Sequence, residues 1–172
     1  YYIFDAVLPP RTNFAIVQKL GEKEILALPK APPTEGADWI HSLFHYKDHR
    51  VKAIVWELKY KENTKPLEYI GKLLFEEIFA LISDISIFNS DAQFILVPIP
   101  ISGQRRAERG YNQSEYIAKA VLENDVEHIL LYAPQWFEKV RDTATQNKSH
   151  SREERMRNLV DCFEADPRVE GK

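Results

Sequence analysis

The sequence predicts an α/β protein built on a parallel sheet with helices on both faces. Phe94 to Pro98 is a short and uniformly apolar run, which is typical of a central strand in a parallel sheet. A helical pattern follows from Asn112 to about Glu123, and Ile129 to Tyr132 has the composition of a second strand. Strand, helix and strand at this spacing predict a βαβ unit with a right-handed crossover.

Length and composition are those of a soluble globular protein. The 172 residues suffice for one α/β domain, and 44% of them are hydrophobic. No apolar run approaches the roughly 20 residues of a membrane helix, so membrane insertion is not expected. The single cysteine, Cys162, allows no internal disulfide and fits a cytoplasmic location. The net charge of −3 argues against a broadly basic nucleic-acid surface, so an anion site must be a local concentration of cations.

Two regions are predicted along the chain, an N-terminal covering segment, residues 1–37, and a main domain, residues 38–172. Apolar stretches at Phe14–Leu20 and Glu24–Leu28 flank Gly21 and favour a hairpin. Prolines and a glycine between residues 29 and 36 then mark a linker. Ile40 to Tyr46 is predicted to be a strand with one apolar face.

Three histidines follow one another at intervals of four residues, at positions 41, 45 and 49. On a helix this spacing would align them as metal ligands. A solvated polar strand face is the commoner explanation, and no cysteine or carboxylate set completes a site. The sequence therefore predicts no zinc here.

Two helices are predicted before the apolar strand. Asp48 should cap the first, whose buried stripe is Val51, Ile54, Val55 and Leu58. Thr64 should cap the second, with Pro66 in its first turn. The buried stripe of this longer helix is predicted at Leu67, Ile70, Leu74, Ile78, Leu81 and Ile82. Near the end of the chain, Val160 to Ala165 is predicted as a third strand of the main sheet, with Cys162 as a small core residue.

A cationic stretch lies between the apolar strand and the next helix. Arg105, Arg106 and Arg109 crowd into five positions of a predicted loop, Ile99 to Gly110. Asn112, with a glutamate three residues on, is a typical helix start. Open parallel sheets bind ligands beyond the carboxyl ends of their strands, where this loop should lie. Arginine forks and the backbone N–H groups of a helix start both suit phosphate.

A second polar stretch runs from Ala133 to His150 and contains few apolar residues after Val140. Ser151 and Glu154 form a capping box at the start of a short arginine-rich helix. The stretch is either a disordered cationic loop or a mobile loop that closes over a ligand, and these two interpretations are compatible.

Both stretches resemble the ComF family of phosphoribosyltransferase-like proteins. The family has an apolar strand ending in P-V-P-L, a spacer, and R-G-F/Y-N-Q; here Val97–Ile101 and Arg109–Gln113 correspond. Leu58, Lys59 and Tyr60 match an L-K-Y segment of the family. A later family signature joins an arginine, a threonine and a glutamine to R-x-x-N and an aromatic residue. Its matches here are Arg141, Asp142, Thr143, Gln146, Arg155, Asn158 and Phe163.

The resemblance implies a Rossmann-type phosphoribosyltransferase core that binds phosphoribosyl pyrophosphate with Mg²⁺, the ion neutralising the pyrophosphate leaving group. The implied pyrophosphate-binding residues are Ser102, Arg105, Arg106, Arg109, Gly110, Asn112 and Gln113. The implied mobile loop contains Arg141, Thr143, Gln146, Arg155 and Asn158. Lys59 either brings its ammonium near substrate phosphate or compensates the dipole of its own helix.

The chain departs from the family at two places. The family's zinc-binding cysteines follow an F-P-P-R-C opening, whereas Arg11 is followed by Thr12 and the cysteines are missing, so no zinc is expected. By this resemblance residues 1–37 are a degenerate or replaced zinc module that still covers the active-site side. The family's paired acids and Thr/Gly-rich loop, D-D-x-x-T-T-G-x-T, have no counterpart in residues 1–172. We therefore expect a domain that is incomplete at its C-terminal side and a polypeptide without transferase activity of its own.

Two other functions stay open. In the first, the chain is a non-catalytic accessory protein that binds single-stranded DNA or a helicase partner in competence and DNA uptake. The same arginines and Lys148 would follow the phosphate backbone, and Tyr111 or Trp136 would stack on bases. In the second, the chain is a structural relic whose cationic loops bind anions unselectively. The sequence identifies neither the acceptor substrate nor the oligomeric state.

Overall fold

A computed structural model describes residues 11–37, 39–86, 93–142 and 157–169. The elements before the first strand are all helical: α1 (Thr12–Gln18), α2 (Glu22–Leu26), α3 (His49–Tyr60) and α4 (Leu67–Ser86). None of the described helices is long and apolar enough to cross a membrane.

The hairpin predicted around Gly21 is wrong, because helices α1 and α2 occupy this stretch. Gly21 precedes α2, and its backbone N–H donates to the Glu24 carboxylate at 3.0 Å. The residues buried on either side are Val17, Leu20, Ile25 and Leu28. Val17 and Leu20 at the end of α1, like Ile25 and Leu28 at the end of α2, are three residues apart, which is a helical rather than a strand spacing.

The strand predicted over Ile40 to Tyr46 is also wrong. A single antiparallel bridge pairs Phe44 with Lys30, and the rest of the stretch is irregular. Ile40 and Tyr46 are 39% and 62% exposed, so they do not share a buried face with Phe44. Within the described residues no neighbouring strand pairs with this stretch, so its alternating apolar and polar residues do not form part of a β-ladder.

Helix α3 begins as predicted. The Asp48 carboxylate accepts a hydrogen bond from the Arg50 backbone N–H at 2.8 Å, which confirms it as the N-cap. Val51, Ile54 and Leu58 are buried on one face of the helix. This face therefore belongs to the core, and the opposite face of α3 is left to solvent.

Helix α4 differs from its prediction at both ends. It begins at Leu67, directly after Pro66, so Thr64 is not at the predicted N-cap position and the proline is not in the first turn. Leu67 and Ile70 are buried, whereas Leu81 is 36% exposed. The predicted buried stripe is therefore fully covered only in the first part of the helix.

The predicted βαβ unit is confirmed, with one added helix. Strand β1 (Phe94–Leu96) pairs in parallel with β2 (Leu130–Tyr132). Two helices connect them, α5 (Gly103–Arg109) and α6 (Gln113–Leu122), so the predicted loop over Ile99 to Gly110 is largely helical. Within the described residues the parallel sheet has these two strands, and no further strand of a Rossmann-type core joins it.

The last elements form a separate two-stranded sheet. After a 3-10 turn (Pro134–Trp136), strand β3 (Phe137–Lys139) pairs antiparallel with β4 (Phe163–Ala165). The prediction of a third strand in the main sheet is therefore wrong, because its partner is the chain directly after β2. Cys162 is fully buried, as predicted.

One hydrophobic core joins the first two helices to α3, α4 and α6. Helix α4 approaches α6 closely at Gly71, where an added Cβ would lie 2.5 Å from the Ala120 carbonyl oxygen. The buried members of this core are Val17, Leu20, Ile25, Leu28, Val51, Ala53, Ile54, Leu58, Leu67, Ile70 and Ala120. The core thus fixes α6, and with it the arginine-bearing turn that precedes α6.

Candidate anion-binding site

The candidate site is the turn that joins α5 to α6 beyond the carboxyl end of β1. The Ser102 hydroxyl caps α5 by accepting a hydrogen bond from the Arg105 N–H at 3.4 Å. Gly110 ends α5 at a φ of 81°, in the left-handed region that glycine adopts without a Cβ penalty. Because of this reversal, α6 starts only a few residues after α5 ends.

Asn112 holds the turn to the strand. Its side chain is buried, its Oδ1 accepts from the Ser114 N–H at 3.0 Å, and its Nδ2 donates to the Ile99 carbonyl at 3.0 Å. The first bond confirms the predicted helix cap. The second spans 13 residues, and no local sequence signal indicates it. Together they fix the segment that leaves β1 against the first turn of α6.

Two of the three arginines already have partners. Arg106 makes a forked ion pair with Glu115, with N–O distances of 2.6 and 3.0 Å. Arg109 donates to the Gln113 side chain at 3.2 Å, and its guanidinium carbon lies 5.2 Å from the centre of the Tyr60 ring. These contacts make α5 a bridge between α6 and the end of α3.

Arg105 differs from the other two arginines. Its side chain is half-buried and has neither a hydrogen-bond nor an ion-pair partner among the described residues. It is therefore the arginine of α5 that can bind an external anion without first giving up a contact. From the sequence alone, the three arginines are equally good candidates for binding an anion.

Glu115, which the sequence indicates only as part of a helix cap, is the acid that pairs with Arg106. The hydrogen bonds from Arg106 hold the pKa of Glu115 below its usual range. Tyr132, at the end of β2, has a raised pKa because of burial first and of the nearby Glu115 second. The ends of both parallel strands thus meet the turn, as the topology predicted.

The end of α3 packs against the same turn. The Glu62 backbone N–H donates to the Tyr111 hydroxyl at 2.8 Å, and the Tyr116 hydroxyl donates to the Glu62 carboxylate. This carboxylate raises the pKa of Tyr116. Tyr111 is buried, so its ring is not available to stack on a nucleic-acid base as the accessory interpretation required.

Lys59 lies in the last turn of α3, next to the Tyr60 ring that contacts Arg109. Its ammonium has no hydrogen bond or ion pair among the described residues. Both interpretations of Lys59, a phosphate contact and compensation of the helix dipole, fit this position.

The predicted mobile loop is described only at its two ends. The Arg141 guanidinium donates to the Val160 carbonyl at 2.7 Å and to the Cys162 sulfur at 3.4 Å. The Cys162 thiol donates to the Asn158 carbonyl at 3.0 Å. The first and last residues of the predicted loop are thus brought together around Cys162. The predicted loop residues Thr143, Gln146 and Arg155, together with Lys148 and the capping box Ser151 and Glu154, lie outside the described residues.

Trp136 is the other aromatic residue that would stack on bases if the chain were a DNA-binding accessory protein. Its ring is partly buried, and the Arg168 guanidinium covers it with its carbon 4.6 Å from the ring centre. Arg168 is itself paired with Asp166 at 2.6 Å, which holds it in place. This face of the indole is therefore occupied.

The described residues define a mixed α/β chain with a cationic turn at the carboxyl end of a parallel strand pair. No protein-family model, curated protein or solved structure matches the chain. The function is consequently argued from the residues of the turn and their contacts.

Proposed function

We propose that this chain is a phosphoribosyltransferase-like protein of the ComF type that binds phosphoribosyl pyrophosphate. Its pyrophosphate group would lie at the turn between α5 and α6. The observation that carries the proposal is the parallel pairing of β1 with β2, with an arginine-bearing helix directly beyond the end of β1. Ligands of open parallel sheets bind at this edge.

The contacts of the turn suggest an order of binding. Arg105 is free to pair with the first phosphate, and the N-terminal N–H groups of α6 add positive potential. Arg106 would then exchange the Glu115 carboxylate for phosphate oxygens, since its fork fits both groups. Arg109 would keep its orientation through the Tyr60 ring.

Magnesium would arrive with the substrate and neutralise the pyrophosphate as a leaving group. Among the described residues, Glu115 is the carboxylate paired with an arginine of α5, and Arg106 already holds it, whereas Glu108 accepts a hydrogen bond from Gln104. We therefore assign no protein ligand to the ion. Residues 1–172 also contain no paired-acid and Thr/Gly-rich motif for the ribose phosphate. We propose binding without transfer, and turnover of phosphoribosyl pyrophosphate by this polypeptide would contradict that.

Isothermal titration calorimetry tests the proposal. Phosphoribosyl pyrophosphate with Mg²⁺ should bind more tightly than inorganic phosphate at the same ionic strength. Arg105→Gln should weaken that binding about tenfold or more, because it removes a charge-assisted hydrogen bond. Arg168→Gln is the matched control, since it removes an arginine from the 3-10 turn after β4, outside α5 and α6. Equal affinity for both ligands, or an unchanged affinity after Arg105→Gln, would refute the proposal.

The accessory function makes a different prediction for the same protein. Binding of single-stranded DNA should weaken steeply as salt rises, because phosphate contacts release counterions. Tyr111 is buried and Arg168 covers one face of Trp136, so the structure gives base stacking at these two residues little support. A steep salt dependence with an oligonucleotide, together with no preference for phosphoribosyl pyrophosphate, would favour it over the proposal.

A further inference from the structure

A groove runs along the solvent-facing side of α3 and includes Tyr60, whose ring contacts Arg109 of α5. Its volume is about 630 Å³, within the range of small-molecule sites. The charged and aromatic side chains that line it are Tyr46, Lys52, Trp56, Lys59, Tyr60 and Lys61. It is thus lined by three lysines and three aromatic rings, and no acidic residue is among the described residues that line it.

The groove is strongly cationic in a chain with a net charge of −3. Lys52 and Lys59 have no hydrogen-bond or ion-pair partner within the described parts of the chain. The nearest acid on α3, Glu57, is fully buried and faces Arg11 at 3.6 Å, so it does not neutralise the groove. Two unpaired ammonium groups on one surface favour an anionic occupant.

The spacing of these lysines indicates how the anionic groups are arranged. Lys52 and Lys59 are seven residues apart on α3 and so share a face, roughly 10 Å apart along the helix axis. When both side chains extend outward from the helix, the two ammonium groups lie at separate points of the groove, and a single carboxylate or phosphate would pair with one of them. An occupant with two separated anionic groups can pair with both.

The aromatic rings show where a planar group would lie. The Lys61 ammonium lies 5.7 Å from the centre of the Trp56 ring, and Tyr60 contacts both Trp56 and Arg109. Tyr46 is different, because it is 62% exposed and makes no ring contact in the described structure. Its ring is therefore free to stack on a flat ligand.

We infer that this groove is a binding site for a planar aromatic compound that carries two separated anionic groups. The ring stacks on Tyr46, and the anionic groups pair with Lys52 and Lys59. The inference does not rest on the proposed function, because the α5 arginines take no part in it. Tyr60 lines the groove and touches Arg109, so an occupant of the groove would lie beside the candidate anion site.

Fluorescence titration tests this site directly. The chain has three tryptophans, so replacing Trp39 and Trp136 by phenylalanine leaves Trp56 as the reporter within the groove. Benzene-1,4-dicarboxylate supplies the ring and both charges, benzamide supplies a neutral ring, and hexanedioate supplies the charges without a ring. Saturable quenching by the first probe is expected, with binding about tenfold or more weaker for the other two.

Three variants assign the contacts. Lys52→Gln and Lys59→Gln should each weaken binding of benzene-1,4-dicarboxylate about tenfold. Tyr46→Leu should weaken it about fivefold, since a ring pair contributes roughly 0.5–1.5 kcal/mol. Lys23→Gln is the matched control, because Lys23 is an exposed lysine on α2 outside the groove. Far-UV circular dichroism checks that each variant is folded.

Several results would overturn the inference. The first is the absence of saturable quenching by benzene-1,4-dicarboxylate at millimolar concentration. The second is binding of hexanedioate as tight as that of benzene-1,4-dicarboxylate. The third is a loss of affinity in Lys23→Gln equal to that in Lys52→Gln and Lys59→Gln. Salt-sensitive binding of an oligothymidylate without binding of the dicarboxylate would assign the groove to single-stranded nucleic acid instead. Arg105→Gln should leave the titration unchanged, so a failure of the phosphoribosyl pyrophosphate proposal is distinguishable from a failure here.

Discussion

Replacing Gly71 by alanine tests the close approach of α4 to α6, on which the position of the candidate site depends. An added Cβ would lie 2.5 Å from the Ala120 carbonyl oxygen, 2.6 Å from its carbonyl carbon and 2.8 Å from its Cβ. Carbon atoms in ordinary contact are about 3.5–4.0 Å apart. Two of the three neighbours are backbone atoms of α6, so the helices must separate by roughly 1 Å.

The expected loss follows from two opposing terms. Overpacking of a close-packed interface costs about 1–3 kcal/mol, and a clash with backbone belongs at the upper end of that range. Alanine returns about 1 kcal/mol through its higher helix propensity. Gly71→Ala should therefore lower the free energy of unfolding by about 2 kcal/mol. Gly103→Ala is the matched control, because a Cβ there meets no atom within 4 Å and the backbone tolerates it.

Urea denaturation followed by circular dichroism measures both variants. The midpoint of Gly71→Ala should fall at an unchanged slope, whereas that of Gly103→Ala should stay the same or rise. If Gly71→Ala is as stable as the parent chain, the two helices do not pack as closely as described. An equal loss in Gly103→Ala would show that the effect has no connection with that contact.

Three further predictions concern caps and charges. Asn112→Ala should lower the free energy of unfolding by about 2 kcal/mol in urea titrations, because the Ile99 carbonyl and the α6 cap both lose their partner; an unchanged midpoint would contradict this. Glu115→Gln should tighten calorimetric binding of inorganic pyrophosphate up to about fivefold, since an exposed ion pair contributes about 0.2–1 kcal/mol and Arg106 no longer has to leave it; weaker binding would contradict this. Asp48→Ala should cost about 1 kcal/mol at pH 7. The hydrogen bonds from Arg50 lower the pKa of Asp48, so its contribution is complete above the unfolded pKa of about 3.9 and disappears as pH falls towards the folded value. The urea midpoints of parent and variant should converge in acid, and a constant difference would refute this assignment.

Short-range chemistry made the successful predictions possible. Asp48 and Asn112 cap their helices because a side-chain oxygen needs only an N–H two residues away. The apolar runs at Phe94 and Leu130 pair in parallel because a helical crossover separates them. The caps depend on residues close by in the chain, and the parallel pairing depends on the length of the connection between the strands. The sequence supplies both directly.

The wrong predictions concern residues whose partners lie far along the chain or that are equally compatible with two structures. Short apolar stretches around Gly21 fit strands or helices, and contacts with α3 and α4 select helices. The alternation of apolar and polar residues over Ile40 to Tyr46 does not lead to a β-ladder, because the stretch makes only one bridge within the described residues, between Phe44 and Lys30. Strand β4 pairs with β3 because the chain comes back alongside β3 just before β4 begins. There the Val140 backbone N–H donates a hydrogen bond to the Cys162 carbonyl.

The sequence by itself determined the α/β class, the βαβ unit, the main helix caps and the concentration of arginines beyond β1. These features follow from composition, from periodicity and from side chains that bond to near neighbours. The tertiary structure alone decided which arginine is free. Glu115 holds Arg106 and Tyr60 faces Arg109, whereas Arg105 keeps no partner among the described residues. Charge neutralisation depends on distances in space, and spacing along the chain does not encode those distances.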